Sequence, residues 1–183
     1  MEEVDRRDFV RTSDRLSAYD DTPLFIGQGQ TISAPHMVAM MLEELKLSEN
    51  DNLLEIGSGC GYHAAVASRL VSKVTTIERI PYIYELACEN LDSYDNIEII
   101  NGDGSRGFMD NGPYQKIMVT CGAPRVPPPL IDQLEIGGLM VIPVGGRGVQ
   151  ELLTVERTTD GISVFRRPGV AFVPMIGVNA FDN

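Results

Sequence analysis

The stretch Leu53–Tyr62, LLEIGSGCGY, places glycines at positions 57, 59 and 61 directly after a short apolar run. Glycine lets a backbone turn sharply and approach a ligand with no Cβ in the way. About 20 residues past the first glycine, Glu78 ends a β-branched run, where a carboxylate typically accepts hydrogen bonds from ribose hydroxyls. A third loop, Asn101–Ser105 (NGDGS), carries Asp103 in flexible backbone, where an acid can accept an adenine amino hydrogen. Each feature has a plainer reading, Glu78 as a surface acid on a strand end and NGDGS as an ordinary turn. Three such loops at successive strand ends favour an adenosine-type ligand. A dinucleotide fingerprint would need glycine at position 62, where Tyr62 stands, so a nicotinamide cofactor ranks last.

A second group of chemically able residues lies earlier, in Gly27–Met41 (GQGQTISAPHMVAMM). Thr31-Ile32-Ser33-Ala34 is a stretch of mostly small residues, and the Ser33 hydroxyl can donate one hydrogen bond to an anion. Ser33 also suits a helix N-cap, and the two roles are compatible, because N–H groups at a helix start favour negative charge. Val38, Met41, Leu42 and Leu45 follow the i, i+3, i+4, i+7 spacing of a core-facing stripe. His36 falls almost opposite that stripe and faces either substrate or solvent. Gln28 and Gln30 either touch a substrate backbone or hold the turn.

Other chemistries are disfavoured. Cys60, Cys88 and Cys121 show no CxxC spacing, and with two histidines, His36 and His63, they make neither a disulfide framework nor a metal site. Cys60 reads as a small semi-buried residue. The net charge of −11 repels phosphate backbones, so nucleic acid is not an expected partner. No apolar stretch has the length of a membrane span, and the start has no signal-peptide pattern, so a cytoplasmic protein is expected.

The elements that would position these residues alternate. Strands are expected at Asn52–Ile56, Lys73–Glu78, Ile97–Asn101, Gln115–Thr120 and Leu139–Val144, with helices over Tyr62–Leu70 and Pro81–Leu91. Strands separated by helix-length segments imply βαβ units and a mostly parallel sheet. Glu151–Arg157 and Ile162–Arg167, joined around Asp160-Gly161, read as a hairpin that adds an antiparallel edge. Pro124–Pro129 (PRVPPP) reads as a rigid loop crossing the carboxyl end of the sheet. At 183 residues the expectation is one α/β domain with helices on both faces, divided into a substrate-side segment (1–48), a cofactor-binding core (49–145) and C-terminal strands (146–183).

The order EIGSGxG, IER, GDG, GGLMVIPVG resembles the Rossmann-like methyltransferases that use S-adenosylmethionine. Within them, PLFIGQGQTISAPHMVAMM (Pro23–Met41) resembles the signature of the protein-L-isoaspartate O-methyltransferases, which begin repair of isomerised aspartyl residues. The resemblance runs from about Asp5 to AFVPM (Ala171–Met175). It implies cofactor binding by Gly57, Ser58, Gly59, Gly61, Tyr62, Glu78, Arg79, Asp103, Gly104 and Thr120. It implies an active-site role for Ser33, with substrate contacts from Thr31, Ile32, Ala34, His36, Val173 and Pro174. The implied partners are isoaspartyl proteins and peptides, and a monomer is expected. Cys60, His63 and Cys121-Gly122 depart from the family's usual residues. The acceptor, a backbone α-carboxylate, is already ionised at neutral pH and needs no general base, so positioning and desolvation would carry the rate. Two rival readings are a methyltransferase for another acceptor, which leaves GQTISAPHM unexplained, and a binding module with a decayed pocket. Removing the chain from Phe172 onward is expected to abolish peptide methylation and spare cofactor binding.

Overall fold

The computed structural model describes residues 1–181; the last two positions of the C-terminal segment lie outside the described residues. Two short 3-10 turns, Arg6–Asp8 and Thr12–Ser17, lead into a two-stranded antiparallel hairpin, β1 (Leu24–Gly27) and β2 (Gln30–Ile32). Helix α1 (Pro35–Leu45) follows and buries Val38, Met41, Leu42 and Leu45, as its spacing predicts. The main sheet then builds from β3 (Asn52–Ile56), β4 (Lys73–Glu78), β5 (Ile97–Asn101), β6 (Tyr114–Val119), β7 (Leu134–Gly145), β8 (Gln150–Thr158) and β9 (Gly161–Val170). Their order is β5-β4-β3-β6-β7-β8-β9, parallel from β5 to β7 and antiparallel from β7 to β9. This is the α/β architecture with an antiparallel edge that the alternation of elements implies.

Neighbouring residues on each central strand go to opposite faces and define two cores. Leu53, Met118, Val141 and Leu152 join residues of α1, α2 (Tyr62–Ala67) and α3 (Pro81–Leu91) on one face. Leu54, Ile117, Met140 and Leu153 pack on the other with Leu130 of α4 (Pro128–Gln133). Helices thus cover both faces, three against one. β3 is buried along nearly its whole length because it is paired and covered on every side.

Several boundaries differ from the sequence reading: β6 is Tyr114–Val119, and β8 and β9 run longer at both ends. α2 stops at Ala67, three residues short, where the Ser68 hydroxyl donates back to the Ala65 carbonyl at 2.8 Å. β7 begins at Leu134 rather than Leu139. The Pro124–Pro129 segment is not wholly loop, since Pro128 and Pro129 open α4, where a missing N–H costs nothing.

β3, β4, β5 and β6 all end on the same edge of the sheet, which gathers their following loops. β3 and β4 lie between β5 and β6, so the first two loops sit in the middle of that edge. After β9 the chain returns to it as an irregular strap. Gly122, just past β6, donates to the Val173 carbonyl at 2.8 Å and accepts from the Met175 N–H at 2.7 Å. Among the described residues, no helix is long and apolar enough to cross a membrane.

Candidate functional site

A cleft opens over the carboxyl ends of β3 and β4, enclosing about 790 Å³ when its open mouth is counted. It is lined by the glycine loop, the end of β4, the loops after β5 and β6, the segment Gln30–Ser33, and the strap residues Val173–Ile176.

The glycine loop forms because its backbone needs conformations that side chains resist. Gly57 has φ +94°, and a Cβ there would stand 2.7 Å from the Thr120 Oγ1. Gly61 has φ +89° and lies against Leu91, 2.8 Å from where its Cβ would be. The Thr120 hydroxyl reaches the Gly57 carbonyl at 2.5 Å, fastening the loop to the end of β6. Beneath the loop runs a buried hydroxyl chain: Ser58 Oγ lies 2.7 Å from Thr76 Oγ1, which donates to Glu55 Oε2 at 2.6 Å. Burial raises the Glu55 carboxyl to about 8, a pull the Thr76 hydrogen bond only partly offsets.

Glu78 is buried at the end of β4, with Oε2 accepting from the Gly59 N–H (3.1 Å) and Oε1 from the Ile80 N–H (2.9 Å). Its pKa is raised by burial, with those N–H donors opposing. Each oxygen keeps a second lone pair for a ligand hydroxyl.

Of the residues expected to bind cofactor, the cleft brings together Gly57, Ser58, Gly59, Tyr62, Glu78, Arg79, Gly104 and Thr120. Gly61 is outside the lining and acts as the turn into α2. Asp103 is also outside it: Oδ1 accepts from the Ser105 N–H and hydroxyl, and Oδ2 accepts from the Val178 N–H at 2.9 Å. Burial pushes the Asp103 pKa up, but the hydrogen bonds from Val178 and Ser105 outweigh it, and the net shift is down.

Of the residues expected to meet substrate, Thr31, Ile32, Ser33, Val173 and Pro174 line the cleft. Ala34 is the N-cap of α1 and is buried beside it. Ser33 therefore does not cap the helix, and its hydroxyl has no hydrogen-bond partner among the described residues. His36 is outside the lining, exposed, with Nδ1 2.8 Å from Asp21 Oδ1.

The sequence reading missed several lining residues. Met175 and Ile176 reach the cleft through the strap, for which no local periodicity exists to read. Cys60 and Cys121, named from sequence as departures from the family's usual residues, were not missed and both line it; burial raises the Cys60 thiol to about 12 and pushes Cys121 up as well. Also missed was Arg6, fully buried, with its guanidinium 5.2 Å from the Tyr62 ring centroid and Nε donating to the Ala18 carbonyl at 2.6 Å. Through Tyr62 it ties the N-terminal segment to the cleft wall. A charged residue in a short N-terminal stretch normally reads as surface.

Residues 1–180 match the protein-L-isoaspartate(D-aspartate) O-methyltransferase family. The chain belongs to this family. Among its relatives, a protein-L-isoaspartate O-methyltransferase of Methanothermobacter thermautotrophicus is 52% identical over 97% of this chain and 85% of its own length. A solved protein-L-isoaspartate O-methyltransferase superposes with a TM-score of 0.87 at 29% identity over 97% of this chain; the chain spans 59% of the length of that protein. A Plasmodium falciparum candidate of the same name, determined in complex with S-adenosyl-L-homocysteine, superposes with a TM-score of 0.82 at 28% identity, covering 96% of this chain and 87% of that one. As a protein-L-isoaspartate methyltransferase family member, the chain places its glycine loop, Glu78 and the Thr31–Ser33 segment around one shared cleft.

Proposed function

We propose that the chain transfers a methyl group from S-adenosylmethionine to the free α-carboxylate of L-isoaspartyl residues in damaged proteins and peptides. The observation that carries this reading is the meeting of two unrelated sequence blocks, the glycine loop with Glu78 and the Thr31–Ser33 segment, as two stretches of the wall of one cleft. The first wall fits an adenosyl cofactor: a buried carboxylate with free lone pairs beside a backbone that tolerates close approach. When bound, the cofactor would supply an electrophilic sulfonium methyl. Glu78 would hold the ribose hydroxyls, and Gly57–Gly59 would let the remainder lie against backbone.

On the second wall, the unpartnered Ser33 hydroxyl is available to orient the acceptor carboxylate. Val173 and Pro174 would lie beside the peptide as an extended edge, which suits a substrate of variable sequence. Rate would come from alignment and from excluding water around the carboxylate, since Ile32 and Met175 bring apolar surface to the cleft. The deciding experiment is methyl incorporation into matched peptides that differ only in carrying isoaspartate or aspartate.

A further inference from the structure

The strap from Val173 onward does more than border the peptide side. It is anchored at both ends of the site. At one end Val173 and Met175 bracket Gly122 past β6, with hydrogen bonds of 2.8 and 2.7 Å. At the other end it reaches the loop after β5. There the Val178 N–H donates to Asp103 Oδ2 at 2.9 Å, the Asn179 N–H to Ser105 Oγ at 3.1 Å, and the Asn179 Nδ2 to the Ser105 carbonyl at 3.2 Å. In the sheet, β3 and β4 lie between β6 and β5, so the strap bridges the edge on which the glycine loop and Glu78 sit. Met175 and Ile176, in its middle, line the cleft.

The fastening depends on close approach. A Cβ on Gly177 would stand 2.1 Å from Asp103 Oδ1 and 2.5 Å from Ser105 Oγ. Gly177 does not have a left-handed φ, so its missing side chain serves this contact rather than a turn. Asp103 thereby joins the two segments: Oδ1 accepts from Ser105 and Oδ2 from Val178, with Arg79 and Arg106 within 4 Å of Oδ2.

Resting on the cofactor reading above, we propose that residues 173–179 form a strap across the cofactor cleft, latched by Val178 and Asn179 onto Asp103 and Ser105. Release of that latch sets the rate at which the spent cofactor leaves. Asp103 then works as the catch of the strap, and Gly177 and Asn179 are positioning residues acting through it.

The test measures two things on the full chain: release of radiolabelled S-adenosylhomocysteine after rapid dilution, and amide hydrogen exchange at Val178 and Asn179 without ligand. In the wild type these amides should be protected. Gly177→Ala should speed their exchange and raise the release rate at least about tenfold, and Asn179→Ala should do so severalfold. If Gly177→Ala does not fold, Asn179→Ala decides alone. Unprotected amides in the ligand-free wild type, or unchanged release from variants whose latch amides exchange faster, would overturn the strap while leaving the cofactor reading intact. A wild-type chain that fails to bind S-adenosylhomocysteine would overturn both.

Discussion

Glu78 Oε2 accepts the backbone N–H of Gly59 at 3.1 Å, so the acid at the end of β4 is built into the glycine loop that follows β3. One carboxylate shapes the loop and faces the cleft. Glu78→Ala should weaken S-adenosylhomocysteine binding by about ten- to a hundredfold, the loss of roughly 1.5–3 kcal/mol for a hydrogen bond to a charged group. Glu78→Gln keeps the shape and one acceptor and should recover part of the loss. Titration calorimetry reads both, and equal affinity in all three proteins refutes the role.

Ser33 separates catalysis from stability. Because Ala34, not Ser33, is the N-cap of α1, Ser33→Ala should leave the melting temperature within about 1–2 °C of wild type. It should lower the single-turnover methylation rate about tenfold or more with cofactor affinity unchanged, as expected when an orienting donor is lost. A less stable variant of full activity would return Ser33 to a structural role.

Selectivity follows from Ser33 and the Val173-Pro174 edge lining one cleft. Isoaspartate presents its carboxylate on the α-carbon, aspartate one methylene further out. A methylene distinguishes substrates by about 10–200-fold, and a misplacement of about 1 Å costs another ~10²-fold in alignment. Isoaspartyl peptides should therefore be preferred by at least about 10³-fold in kcat/KM. Similar rates on the two peptides would leave only a general methyltransferase.

Glu55 makes stability fall as pH rises. Its carboxyl titrates near 8 in the folded chain and near the ordinary 4.5 when unfolded. Between those values the folded state holds the extra proton, so folding weakens steadily from about pH 4.5 up to about pH 8. Glu55→Gln removes the charge and keeps an acceptor for Thr76. Its unfolding free energy from denaturant titration should match wild type near pH 5 and exceed it by at least about 1 kcal/mol at pH 8. Parallel pH profiles for the two proteins would refute the assignment.

The sheet was readable because each central strand is covered on both faces, which favours short, mostly apolar runs such as Asn52–Ile56. The α1 stripe was readable for the same reason, since Val38, Met41, Leu42 and Leu45 repeat at helical spacing against one core. The hairpin β1–β2 was not, because two strands of three or four residues turning at Gln28 and Gly29 show no alternation to count. Neither was the strap, whose place depends on Gly122 and Asp103, far away in sequence. That distance also revises the truncation expected from sequence. Cutting before Phe172 removes Met175, Ile176 and the latch from the cleft, so it should damage cofactor binding as well as peptide methylation.

The two thiols in the cleft wall bear on a hazard of the reagent itself. A sulfonium methyl donor can alkylate sulfur, and the nucleophile in such a side reaction is the thiolate, not the thiol. Burial holds the Cys60 thiol up at about 12 and pushes Cys121 the same way, so at neutral pH both sulfurs stay in the thiol form. The burial that closes the cleft therefore also disfavours attack by the protein's own sulfur on the methyl donor.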